Sequence, residues 1–100
     1  MIERHVYVRF KPEHADERAT VAAQTREILA RVPGVKAVRV GIPADDHAEK
    51  AWDIGIVVQF ERLSDVEPYR VHPIHRKYVE MVLTPRLQVI KAWNFELPDA

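Results

Sequence analysis

Cysteine is absent from the 100 residues. That excludes disulfides, thiolate catalysis and cysteine-bound zinc, and leaves histidine and carboxylate as the strong metal ligands. An excess of either charge is also lacking. Fifteen basic residues balance fifteen acidic ones, so no net field draws the chain to nucleic acid or to an anionic membrane. No segment approaches the roughly 20 apolar residues needed to span a bilayer, and the opening MIERHVYVRF has no apolar signal core. A soluble cytoplasmic protein without nucleic-acid or membrane partners is the expectation. Glycine is scarce: Gly34, Gly41 and Gly55 are too scattered for a nucleotide-binding fingerprint. Internal repeats and low-complexity runs are missing too.

What is present suits a single domain over residues 1–100, because 47% apolar residues at this length fill a modest core. Residues 2–10 alternate, with Ile2, Arg4, Val6, Val8 and Phe10 on one face and Glu3, His5, Tyr7 and Arg9 on the other, the signature of a strand with one core face. From about Asp16 to Val32, the residues Val21, Ala22, Thr25, Ile28, Leu29 and Val32 form one helical stripe, ended by Pro33-Gly34. Val35 to Ile42 reads as a second strand, PADDHAEKA as a polar mobile loop, and Trp52 to Phe60 as a third strand with Trp52, Ile54, Ile56, Val58 and Phe60 on one face. Ser64 with Glu67 three residues on reads as a capping box. A helix beginning near Pro73 places His75, Tyr78, Val79, Val82 and Leu83 on one stripe and stops at Thr84-Pro85, and Leu87 to Phe95 is a fourth strand.

This order predicts the α+β ferredoxin-like plan βαββαβ: a four-stranded antiparallel sheet with its helices on one face. Apolar residues fall on both strand faces, with Val57 opposite Ile56. A sheet that is apolar on both sides and helix-covered on one predicts a homodimer through the open face.

The opening RHVYVRFK, the strand WDIGIVVQFE with the following SDVEPYRVHPIHRKY, and the closing WNF together resemble the stress-responsive α/β-barrel (Dabb) family over nearly the whole chain. The most specific part is a tyrosine followed by HPxH, here Tyr69, His72, Pro73 and His75, with His5 in the first strand. The resemblance implies a homodimeric α+β barrel joined through the sheets, and a small-molecule pocket between sheet and helices of unassigned substrate. In a plant polyketide cyclase of the family, a cofactor-free aldol condensation uses residues that fall here on Tyr69, His75 as general base, and His5. The preceding histidine of the motif falls on His72. The chain departs from that enzyme at Val21, Ala22 and Thr25, where large residues line its pocket, and at Tyr7 and Arg9, which are aliphatic there.

Chemically, a histidine titrating near neutrality can remove a proton alpha to a carbonyl while a tyrosine hydroxyl stabilises the enolate oxygen. The expected site is therefore one cavity per subunit in which His75 is the base, Tyr69 the donor and His5 the orienting partner. Tyr7, His72, Tyr78 and Ile56 would line it, and Arg9 would hold a substrate carboxylate. The same residues also suit a structural role, with Pro73 starting a helix and His75 and Tyr69 satisfying core partners. A metal on His5, His72 and His75 is not expected, since Pro73 keeps His72 outside the helix, and no cofactor is called for. A haem- or oxygen-using monooxygenase of the same architecture is a further alternative, resting on fold analogy.

Overall fold

A computed structural model describes residues 1–98. Strands β1 (Ile2–Phe10), β2 (Ala37–Gly41), β3 (Ile54–Phe60) and β4 (Leu87–Glu96) form one antiparallel sheet in the order β2-β3-β1-β4. Between β1 and β2 run a 3-10 turn (Pro12–Glu17) and α1 (Arg18–Leu29). A short helix, α2 (Asp46–Ala51), joins β2 to β3. After β3 come a 3-10 turn (Leu63–Asp65), α3 (Val66–Val71), α4 (Pro73–Tyr78) and a π-helical turn (Val79–Leu83). This is the ferredoxin-like fold expected from the element order.

The core lies between one face of the sheet and α1, α3 and α4. Val6, Val8, Phe10, Ile54, Ile56, Val58 and Phe60 meet Val21, Ala22, Leu29, Tyr69, Tyr78 and Leu83 there, all buried. Burial removes about 25 cal/mol of unfavourable hydration per Å² of apolar surface, so this layer supplies the main driving force. The other face carries Glu3, His5, Tyr7, Val57, Gln59, Trp93 and Phe95 without a helix over it. Trp93 and Phe95 are half exposed, at 49% and 51%.

Three local expectations are corrected. The segment read as a mobile loop contains α2, which starts because the Asp45 side chain accepts a hydrogen bond from the Ala48 N–H at 2.8 Å. Trp52 is not on the core face of β3. The strand begins two residues later, and the Trp52 ring packs against Tyr7, centroids 5.7 Å apart. Asp53 causes the break. It is buried, accepts the Phe10 N–H at 2.6 Å and the Arg18 Nε–H at 2.7 Å, and so turns the chain toward β1 and α1. Finally, the expected box of Ser64 and Glu67 is replaced by Asp65, whose carboxylate accepts the Arg62 N–H at 3.4 Å, while Glu67 bonds Arg70.

Candidate functional site

The proline in YRVHPIHRKY splits one helix into two. A residue preceding proline is pushed out of the helical region, and His72 accordingly sits at φ −63° and ψ 138° between α3 and α4. Pro73 takes the first position of α4, and the His72 Nδ1 accepts the Ile74 N–H at 3.1 Å, capping the new helix. The kink leaves the Arg70 carbonyl at the end of α3 unpaired within its helix, and the His75 Nδ1–H donates to it at 3.0 Å. Tyr69 and His75 thereby meet, ring centroids 4.5 Å apart at 53°. Phe60 supports Tyr69 edge-on at 5.0 Å.

The electrostatics of this pair follow from its setting. Burial raises the Tyr69 phenol well above its ordinary value, so it stays protonated. Burial lowers the His75 imidazole below 6.5, and the nearby Arg4 and Arg70 charges push the same way against the favourable bond to the Arg70 carbonyl. With Nδ1 carrying the proton, neutral His75 presents an unprotonated Nε2. The Tyr69 ring is 2% exposed. The side chain is fully buried, and its hydroxyl, which has no hydrogen-bond partner among the described residues, keeps no more than a sliver of exposed surface.

His5 is not in this group. It lies on the helix-free face, where its Nε2–H donates to Glu3 at 3.0 Å, its Nδ1 faces the Tyr7 hydroxyl at 3.4 Å and Phe95 stacks edge-on at 5.4 Å. The sheet itself separates it from Tyr69 and His75, so the single cavity expected to join His5, Tyr7, Tyr69, His72 and His75 does not form within one subunit. Tyr7 also lies on the open face, against a cleft of about 220 Å³ shared with Trp52, Ile42 and Pro43. Arg9 reaches from that face to the Lys50 carbonyl. His72 is occupied as a cap. Ile56 is buried in the core, and Tyr78 is buried with its hydroxyl 2.7 Å from the Thr25 Oγ1. That bond spans the seam between α1 and α4, where the expected pocket would need room.

The strand residue that does face Tyr69 and His75 is Arg4. It is half buried, burial lowers its pKa, and its charge acts on both Tyr69 and His75. Its guanidinium donates to Asn94 at 3.0 Å and has no carboxylate partner among the described residues. Arg70 adds a second cation whose repulsion Arg4 feels. The sequence carries the signal for this residue: Arg4 is the one cation in the aliphatic row of β1.

A four-stranded ferredoxin-like domain with a proline-split helix presenting Tyr69 and His75 beside a strand arginine is the class that these features define. The family model of the stress responsive A/B barrel domain, Dabb, matches residues 2–92, and the chain belongs to that family. No curated protein matches. Among solved structures, the chain is similar to a Dabb protein of ferredoxin-like fold from Mesorhizobium loti, with 17% identity over 98% of this chain and 97% of that one and a TM-score of 0.79. It is also similar to a dimeric protein of unknown function from Bacteroides fragilis, at 19% identity over 96% and 95%, TM-score 0.78. An antibiotic biosynthesis monooxygenase shares the fold at 11% identity over 99% and 100%, TM-score 0.74. No helix among the described residues is long and apolar enough to cross a membrane.

Proposed function

We propose that this Dabb domain is a cytoplasmic homodimer that binds a small anionic carbonyl compound at Tyr69, His75 and Arg4, one site per subunit. One observation carries the reading: a Tyr69 hydroxyl that bonds no described residue sits beside the His75 imidazole and a half-buried Arg4 guanidinium that donates to Asn94 and has no carboxylate at ion-pair distance among the described residues. A guanidinium in such a setting favours a carboxylate, which it can hold through two parallel N–H donors. The Tyr69 hydroxyl, which bonds no described residue, is the donor to a ligand carbonyl oxygen in this reading. Because His5 lies across the sheet, its part is in the open face, with Glu3 and Tyr7.

Homodimerisation through that face is supported by the half-exposed Trp93 and Phe95 and the aromatic run Trp52, Tyr7 and Trp93 beside them. It is also supported by the relatives described as dimeric. Light scattering at micromolar concentration should give twice the chain mass, and a stable monomer would overturn this part.

The binding reading is tested by NMR titration of the full chain with acetoacetate. Signals of His75, Tyr69 and Arg4 should shift saturably, and Arg4→Met should abolish the effect. An unresponsive site across a panel of β-keto acids would sink the proposal. A catalytic reading has its own supporting observation, the free Nε2 of neutral His75. Proton exchange alpha to the ketone should then be faster with wild type than with His75→Gln, by about 10²-fold, as general-base assistance supplies. Equal rates would leave a binding domain.

A further inference from the structure

Away from that site, α1 and α4 leave a groove between them outside the buried Thr25–Tyr78 bond. The π-helical turn Val79–Leu83 ends with the Thr84 N–H bonded to the Val79 carbonyl at 2.8 Å. Such a turn holds one residue more than an α-turn, so Met81 and Val82 leave the register of α4. Beneath them lies a groove of about 330 Å³, with Ile28, Ile74 and Val82 along it and Met81 at its lip, 62% exposed. Two cations, Arg31 and Lys77, border it, and no acidic residue among the described residues lines it. Lys77 has no acidic partner among the described residues. Arg31 pairs with Glu27, four residues earlier, and both are largely exposed.

We infer that this groove binds a free medium-chain fatty acid as a monomer. The alkyl chain would lie on the isoleucines and Val82, with the flexible Met81 thioether adapting over it, and the carboxylate would sit between Lys77 and Arg31. Charge complementarity selects this occupant: both charged residues that line the groove are cations and Lys77 has no acidic partner among the described residues, so an apolar chain with one anionic end satisfies both parts and a neutral chain only one. The volume is near the lower end for small-molecule pockets, about 300 Å³, which suits a single short chain. The groove shares none of the groups that bind at Tyr69 and His75, so either site can fail without the other.

The test is a methyl-NMR titration of the full chain with sodium decanoate below its micelle concentration, with decanol and phosphatidylglycerol vesicles as parallel arms. Decanoate should shift Ile28, Ile74 and Met81 saturably. An exposed ion pair contributes modestly, so Lys77→Gln and Arg31→Gln should each weaken binding by up to about fivefold. Met81→Glu, which places an anion at the lip, should abolish it. Unchanged thermal melting would show that these exposed positions leave the fold intact. Equal affinity for decanol, insensitivity to both cation variants, shifts centred on Tyr69 and His75, capture by vesicles without monomer binding, or no saturable shift would each overturn the inference.

Discussion

The Tyr69 ring rests 4.5 Å from the His75 ring, and its hydroxyl bonds to no group among the described residues. Stability and function therefore separate at this residue. Tyr69→Phe keeps the buried ring against Phe60 and removes a hydroxyl that bonds no described residue, so unfolding in urea should change by no more than about 0.5 kcal/mol. Tyr69→Ala empties the core and should cost about 3–5 kcal/mol. Acetoacetate binding should be lost in the phenylalanine variant. A large stability loss from Tyr69→Phe would instead show that the hydroxyl is a structural anchor.

His75 should make the fold sensitive to mild acid. Its folded pKa lies below the ordinary 6.5, chiefly through burial. Well above pH 6.5 both folded and unfolded chains are neutral at this position and no difference arises. As pH falls through 6.5 the unfolded chain takes up a proton that the folded one resists. Stability is therefore lost until the folded pKa is passed. His75→Gln should flatten the slope of urea stability between pH 7 and pH 5. Glu3 and Glu17, whose pKa values are lowered below 4.5 chiefly by hydrogen bonds from Gln59 and His14, act at lower pH, where their stabilisation is lost as they protonate. An unchanged slope in the glutamine variant would remove His75 as the sensor.

How much of this is legible in sequence differs between β1 and the rest. Period-two alternation places Ile2, Arg4, Val6, Val8 and Phe10 toward the helices, and the pleat forces His5 to the other side. Grouping His5 with the HPxH motif overrides that alternation, and Arg4 goes unnoticed although its row already marks it. The proline split is readable, since steric exclusion before proline is local. Trp52 is not readable: β3 begins only after it because Asp53 accepts a backbone N–H 43 positions away, and alternation carries no information about distant partners. The π-turn and its groove likewise depend on how α4 packs, and leave no composition mark.

The Thr25–Tyr78 bond is a buried polar tie between α1 and α4. Both groups are buried at 2.7 Å, and burial lifts the Tyr78 phenol to about 12. Tyr78→Phe strands the Thr25 hydroxyl and should cost about 1–3 kcal/mol. The double variant Thr25→Val with Tyr78→Phe removes both polar groups and should recover much of that loss, a coupling that a double-mutant cycle in urea measures directly. Additive losses would mean that Thr25 finds a backbone acceptor of its own.

His5 offers the sharpest separation of the two faces. On the open side it joins Glu3, which also accepts from Gln59 at 2.9 Å and Arg39 at 3.4 Å. A partner subunit laid over this face would remove that cluster further from water, where losing one member leaves a charge uncompensated. His5→Ala should therefore raise the dimer dissociation constant in sedimentation equilibrium. It should leave acetoacetate binding at Tyr69 and His75 within twofold of wild type, because no atom of His5 reaches the helix side of the sheet. The opposite pattern, an intact dimer with lost ligand binding, would mean that His5 acts on a ligand from across the barrel.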